Sequence, residues 1–202
     1  TGAVMTPIYQ TSTYWQKSPG EHKGFEYSRG TNPTRKSLEH CLAALENASH
    51  ALAFSSGMGA TDAVMKLLKP GDEVITGNDL YGGSFRMFTK IFANYDIKFH
   101  FVDLSDPENI LPYINNNTRL IWVETPTNPT MQIVDIAGIS AIAKARNVIL
   151  SVDNTFASPY LQNPIDLGAD IVMHSVTKYL GGHSDVVMGA LMLNDGQLYK
   201  QL

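Results

Sequence analysis

An α/β fold built on a mainly parallel sheet flanked by helices is predicted by three observations. Short apolar runs alternate with helical stretches of about ten residues, the βαβ pattern from which parallel sheets are made. The chemically unusual residues fall just after the apolar runs, where open parallel sheets bind their ligands. The composition is that of an ordinary globular protein, 44% hydrophobic and 17% charged over 202 residues, enough chain to bury roughly 70% of its unfolded surface.

Taken in order, residues 1–33 show no sustained periodicity but carry Tyr9, Tyr14, Trp15, Phe25 and Tyr27. Disordered segments are poor in aromatics, so this stretch reads as an ordered arm packed on something else, such as another subunit. Regularity begins after Pro33. Leu38, Leu42 and Leu45 recur at helical spacing over residues 34–47, behind a Pro-Thr start. His50 to Phe54 reads as a strand, and Ser55-Ser56-Gly57 opens a helix through about Lys69, stopped by Pro70-Gly71. The alternation continues with a strand from Glu73 to Thr76 and a helix from Tyr81 to Tyr95. A strand from Lys98 to Val102 precedes a short helix begun by Asp106-Pro107, and a strand from Leu120 to Glu124 precedes a helix from Asp135 to Arg146. Strands from Val148 to Val152, Asp170 to His174 and Val187 to Leu193 complete the pattern.

Several function classes are excluded early. Fifteen Lys and Arg against nineteen Asp and Glu leave a net charge of −4 with no basic stripe, which argues against nucleic-acid binding. The single cysteine, Cys41, rules out an intramolecular disulfide framework and a Cys-based zinc site, and points to a reducing, cytoplasmic compartment. No apolar run approaches the length of a membrane span. Gly57-x-Gly59 follows a strand and opens a helix, but Asp62 stands where the third glycine of a dinucleotide fingerprint belongs. Neither a Gly-Lys-Ser/Thr loop nor a His-Glu-x-x-His pair occurs, and no metal site is expected. Asn47-Ala48-Ser49 and Asn116-Asn117-Thr118 match the glycosylation sequon by chance.

The strand ends carry the chemistry. Ser56-Gly57-Met58-Gly59 leads into a helix N-terminus, whose free N–H groups and dipole favour a phosphate. Tyr81-Gly82-Gly83 places an aromatic ring in a glycine turn. Glu124 precedes the rigid Thr125-Pro126-Thr127-Asn128-Pro129 turn, Asp153 precedes Asn154-Thr155, and Lys178 follows His174-Ser175-Val176-Thr177. Singly, each has an ordinary reading as a solvated cap, an N-cap, a packing ring or a tight turn. Together and in this order they match what pyridoxal phosphate requires. That cofactor needs a lysine for its aldehyde, here Lys178, and a carboxylate for its pyridine nitrogen, here Asp153, placed 25 residues earlier. It also needs a stacking surface and a phosphate cup.

With these motifs in view, the chain resembles the Cys/Met-metabolism family of pyridoxal-phosphate enzymes, of fold type I with an aspartate-aminotransferase-like large domain. Asp170-Ile171-Val172-Met173-His174-Ser175-Val176-Thr177-Lys178-Tyr179-Leu180-Gly181-Gly182-His183-Ser184 resembles the family's lysine signature. Further matches are Tyr27-Ser28-Arg29, Asn32-Pro33-Thr34, Ser56-Gly57-Met58, Tyr81-Gly82-Gly83, Glu124 to Pro129 and Val152 to Thr155. The resemblance implies that Lys178 binds the cofactor covalently and moves protons, with Asp153 on the pyridine nitrogen and Tyr81 stacked on the ring. It implies Ser56, Gly57, Met58, Ser175 and Thr177 around the phosphate, and Asn128 near the 3-oxygen with Glu124 and Thr155 close by. Tyr27 and Arg29 would reach the phosphate in a neighbouring subunit, giving a homo-oligomer, commonly a dimer of dimers. Gly59 and Val176 depart mildly from the family pattern, which bears only on packing around the cofactor.

Within the family, Gly83 stands where methionine γ-lyases have cysteine, whereas Glu26 and Arg86 match an acidic residue and an arginine of the cystathionine-handling members. Such a pair suits a substrate with a charged distal end. The expected activity is γ-elimination of L-cystathionine, with γ-replacement on an O-acyl-homoserine by cysteine as the alternative. A sulfhydrylase, a β-lyase, a methionine γ-lyase or a non-catalytic module rank behind these. Residues 1–33 are expected to form the arm and 34–202 the cofactor domain. The family's C-terminal small domain finds no counterpart, and a first residue other than Met is expected to mark a trimmed or processed start.

Overall fold

Five central strands buried at nearly every position and two edge strands that are mostly half-buried, separated by helices, assemble into one seven-stranded sheet in the computed structural model, which describes residues 2–202. Thr1, on which the expectation of a trimmed start rests, lies outside these residues. The strands are β1 (His50–Phe54), β2 (Glu73–Gly77), β3 (Lys98–Val102), β4 (Thr118–Glu124), β5 (Ile149–Asp153), β6 (Ile171–Ser175) and β7 (Gly189–Leu193). Their order is β1-β7-β6-β5-β4-β2-β3. Strands β3, β2, β4, β5 and β6 run parallel, while β7 lies antiparallel between β1 and β6. The mainly parallel sheet flanked by helices is therefore the observed architecture, with one antiparallel insertion.

The main helices are α1 (Pro33–Leu45), α2 (Gly57–Met65), α3 (Gly82–Lys90) and α4 (Ile136–Ala145). Each of α1, α2 and α4 begins where a side chain satisfies the first free N–H groups: Asn32 accepts from Thr34 and Arg35, Ser56 from Gly59, and Asp135 from Gly138. Two helices are shorter than their periodicity predicts. The second tightens into three-residue turns at Leu67 and Leu68 before Pro70-Gly71. The third breaks at Ile91, where the Asn94 side chain takes the Lys90 carbonyl, and resumes as a 3₁₀ turn from Phe92 to Tyr95. The stretch after Asp106 is likewise 3₁₀ over Pro107–Tyr113, because Pro112 has no N–H to continue an α-helix.

The period-two alternation of the strands divides the core between two faces. On one, Ile121, Val123, Leu150, Val152 and Val172 pack with Leu42 and Ala43 of α1 and Ile139 and Ala143 of α4. On the other, Leu120, Trp122, Ile171, Met173 and Leu191 pack with Ala60, Val64 and Met65 of α2 and Phe88 of α3. This alternation decides which way the residues at the strand ends point. The arm before α1 holds two isolated bridges, Thr13 to Tyr27 and Gln16 to His22, and leaves Val4, Met5, Ile8 and Trp15 exposed. No helix among the described residues is long and apolar enough to cross a membrane.

Candidate active site

Val123 and Val152 both belong to the α1/α4 face, so the next residues, Glu124 and Asp153, turn to the α2/α3 face. They stand directly opposite each other in the β4–β5 ladder. In the same way Ser175 emerges on that face after His174. Between β2 and β4 the sheet reverses its winding, β2 leading outward to β3 while β4 leads to β5 and β6. Ligand crevices in open α/β sheets lie at such a switch point, beyond the carboxyl ends of the strands. A cavity of about 210 Å³ opens there.

Eleven of the sequence-predicted residues line this cavity: Ser56, Gly57 and Met58 after β1, Tyr81 after β2, Glu124 and Asn128 at β4, Asp153 and Thr155 at β5, and Ser175, Thr177 and Lys178 at β6. Segments more than 120 positions apart in the chain meet around one space. At its base the Asp153 carboxylate accepts from the Thr155 N–H (3.1 Å) and hydroxyl (2.5 Å), and the Thr155 hydroxyl oxygen accepts the Ser175 N–H (2.9 Å). Glu124 accepts the Tyr81 and Asn128 N–H groups, each at 2.8 Å, so one carboxylate fixes both neighbouring loops. Asp79 ties the same loops from the other side through the Thr127 and Thr130 hydroxyls.

Two buried carboxylates side by side are costly. Burial first, and then the adjacent Asp153, push Glu124 up to about 8. Burial also raises Asp153, opposed by the Thr155 hydrogen bonds and by the charge of His174. The sign follows by linkage. A carboxyl held protonated in the fold stabilises it below its ordinary value of 4.5, and that stabilisation is lost as pH rises through about 8. The cofactor-free protein is expected to lose at most about 5 kcal/mol across this window from Glu124. Chemical denaturation at successive pH values checks this, and Glu124→Gln is expected to flatten the slope; a wild-type slope in the variant assigns the titration elsewhere.

The cavity's other side is an anion cradle. The Ser56 hydroxyl caps Gly59, so the N–H groups of Gly57 and Met58, in the first turn of α2, have no acceptor within the helix. A Cβ on Gly57 would come within 2.8 Å of the Ser175 Cβ, so glycine is what lets this helix end approach the end of β6. Gly189 does the same from beneath, where a Cβ would meet the Ser56 carbonyl oxygen at 2.1 Å. A Cβ on Gly83 would fall 2.3 Å from the Tyr81 ring. Gly83→Ala is therefore expected to push that ring aside and weaken binding of an aromatic ligand about fivefold, from the loss of about 1 kcal/mol of stacking. Titration of ligand against wild type and variant reads this directly.

Lys178 lies in the turn after β6, its N–H bonded to the Ser175 carbonyl (3.1 Å). Among the described residues its side chain is the one primary amine lining the cavity, and it is exposed at the mouth. The Thr177 hydroxyl both donates to the Met188 carbonyl and accepts the Met188 N–H. Four predicted residues are not brought to the cavity. Tyr27 and Arg29 lie on the arm, where the guanidinium rests over the tyrosine ring at 5.1 Å; Glu26 is beside them, and Arg86 is exposed on α3. Sequence reasoning missed Thr61, Ser84 and Phe156, which also line the cavity. Nothing in their local pattern marks them.

The residues fit pyridoxal phosphate. Two carboxylates whose burial is relieved by a cationic ring nitrogen, unpartnered N–H groups at a glycine-built helix end, an aromatic ring and one amine face the same space.

Comparison with known proteins agrees. The family model described as Cys/Met metabolism PLP-dependent enzyme matches residues 1–202. The chain is 55% identical over 202 residues to a probable cystathionine gamma-synthase of Herpetosiphon aurantiacus, covering all of this chain and 63% of that protein. It is 53% identical over 203 residues to a cystathionine gamma-lyase of Dictyostelium discoideum, covering all of this chain and 52% of that protein. A cystathionine beta-lyase of Coxiella burnetii is 50% identical over 198 residues, 98% of this chain and 51% of that protein. Among solved structures, cystathionine gamma-lyase from Lactobacillus plantarum complexed with L-serine superposes with a TM-score of 0.97 at 44% identity, covering all of this chain and 52% of that one. The chain thus spans between half and two thirds of the length of these relatives. By sequence match, fold and the residues gathered at the sheet's carboxyl end, the chain belongs to the Cys/Met metabolism family of PLP-dependent enzymes.

Proposed function

We propose that the protein acts in transsulfuration, cleaving the Cγ–S bond of L-cystathionine with pyridoxal phosphate. The observation that carries the reading is the convergence of Lys178, Asp153, Tyr81 and the α2 cradle on one cavity. When bound, the cofactor supplies an aldehyde that condenses with amines and a ring that withdraws electrons. Lys178 holds the aldehyde carbon at rest and moves protons between substrate carbons during turnover. Asp153 would keep the ring nitrogen protonated, and Tyr81 would lie against the ring. Gly57 and Met58 N–H groups hold the phosphate, with Ser56, Ser175 and Thr177 beside them. Glu124 and Thr155 hold Tyr81, Asn128 and Asp153 in place, and Asn128 would stand near the 3-oxygen. The Cγ–S bond breaks with its electron pair going to sulfur, which leaves protonated as the thiol of cysteine. Water then releases the remainder as 2-oxobutyrate and ammonia.

Residues 1–33 serve as an arm that carries Tyr27 and Arg29 to the cavity of a neighbouring copy, and residues 34–202 as the cofactor domain. Exposure of Tyr27 and Arg29 away from their own cavity supports this. Glu26 and Arg86 read the distal amino-acid end of the substrate. Residues 125–129 and 183–189 resemble the lyases slightly more than the synthases, and Pro126, Asn128 and Val187 from these stretches line the cavity. A second reading, replacement at Cγ of an O-acyl-homoserine by cysteine, is favoured by the similarity to the Herpetosiphon aurantiacus protein. Release of 2-oxobutyrate from L-cystathionine is the expected result. Robust condensation of O-succinyl- or O-acetyl-homoserine with cysteine, without ketoacid from cystathionine, would overturn the lyase reading, and pyruvate in place of 2-oxobutyrate would indicate β-elimination.

A further inference from the structure

Behind the cavity, on the opposite face of the sheet, lies a buried acid that the proposed chemistry does not use. Glu46 follows the last turn of α1 and is fully buried, as is His174 at 1% exposure. Its Oε1 accepts from His174 Nε2 at 2.5 Å and from Asn154 Nδ2 at 2.7 Å. The Asn154 side-chain oxygen in turn accepts from Gln162 Nε2 (2.9 Å), which also donates to the Thr125 carbonyl (3.2 Å). Asn163 closes the outer side, donating to the Leu45 carbonyl (2.9 Å) and reaching Glu46 Oε2 (3.4 Å).

The partners are not scattered. Thr125 follows Glu124, Asn154 follows Asp153, and His174 precedes Ser175. Because adjacent strand residues point to opposite faces, the network grips the ends of β4, β5 and β6 from below at the positions next to those that face the cavity. On the cavity side Thr155 joins the ends of β5 and β6, through Asp153 and the Ser175 N–H. Asp153 is thus held from both faces, and the His174 imidazole behind it opposes the rise that burial imposes on its carboxyl. A carboxylate removed from water needs several donors to offset its desolvation. An apolar cluster would be the simpler way to close a core at this point, so the acid calls for a reason beyond packing.

We infer that Glu46 and His174 are positioning residues for the cofactor carboxylate: through Asn154 and Gln162 they set the strand ends that carry Asp153, Glu124 and Ser175. This rests on the proposed cofactor site. A network that only stabilised the fold would be replaceable by apolar residues of similar size, often without loss of stability. The test is the double variant Glu46→Met/His174→Leu, compared with wild type in thermal melting, in affinity for pyridoxal phosphate by fluorescence titration, and in the visible absorbance of the bound cofactor.

The expected result is a folded protein whose affinity for the cofactor falls about tenfold or more, the scale of one lost buried charge-assisted hydrogen bond, with an altered absorbance band. A folded double variant with wild-type affinity and spectrum would overturn the inference. Should the double variant not fold, Gln162→Leu decides. It cuts the link from Asn154 to Thr125 from a half-buried position and leaves the acid in place. A loss of affinity of about threefold or more supports the inference, and unchanged affinity overturns it. Wild-type protein that binds no pyridoxal phosphate would instead fail the functional reading itself, an outcome visible before any variant is made.

Discussion

Lys178→Ala is expected to leave a folded protein that no longer holds pyridoxal phosphate covalently and turns over at least about 10⁴-fold more slowly, the scale for losing a group with both an attachment and a proton-transfer role. The lysine makes no side-chain hydrogen bond or ion pair that would make it a structural element among the described residues, and it sits exposed at the cavity mouth. Its removal should therefore cost little stability, and surface truncations of this kind stay within about 0.5 kcal/mol. No second lysine lines the cavity to take over its part. Absorbance after borohydride treatment, read alongside a thermal melt, separates the two effects. A stable covalent adduct in the variant would move the attachment site elsewhere.

The second large effect is expected at Asp153, and there function and stability should move in opposite directions. Asp153→Asn keeps the shape and retains an oxygen for the Thr155 donors, but removes the charge that stands opposite Glu124 in the ladder. Turnover should fall by about 10² to 10⁴-fold, because a neutral amide does not keep the ring nitrogen protonated. Stability of the cofactor-free variant at pH 8 should rise. The sign follows from the raised carboxyl: in wild type the stabilisation held by the protonated form is lost as pH climbs, and the amide has no proton to lose. Paired denaturation curves at pH 5 and pH 8 check this. A variant that gains nothing at the higher pH would show that the two carboxylates do not oppose each other in the cofactor-free state.

Much of this fold was legible because each element follows a local period. The apolar runs at His50 to Phe54 and Lys98 to Val102 read as strands with the observed bounds. Asn32, Ser56 and Asp135 mark helix starts through caps that act within three residues. Helix ends were less legible. Lys66 to Lys69 and Ile91 to Tyr95 continue an apolar pattern while their backbones tighten into other turns, a choice made by hydrogen bonds to Val64, Met65 and Lys90 rather than by periodicity. The antiparallel direction of β7 was also beyond a reading of strand positions alone, since an apolar run has the same pattern in either direction.

The site divides along the same line. Lys178, Asp153, Tyr81 and the Ser56-Gly57-Met58 turn declared themselves because each stands at a strand end in a short motif whose residue types suit one cofactor. Glu46 and His174 carry no such mark: 128 positions separate them, and a glutamate at the end of a helix ordinarily faces water. Sequence by itself determined the order of elements, the family and the identity of the groups that gather at the sheet's edge, because those depend on local spacing and chemistry. Only the tertiary structure decided that Glu124 and Asp153 stand opposed, that Gly57 and Gly189 let α2 close on β6, and that a buried acid grips the same strand ends from behind. Those are matters of strand pairing and burial, whose energies arise between segments far apart in the chain.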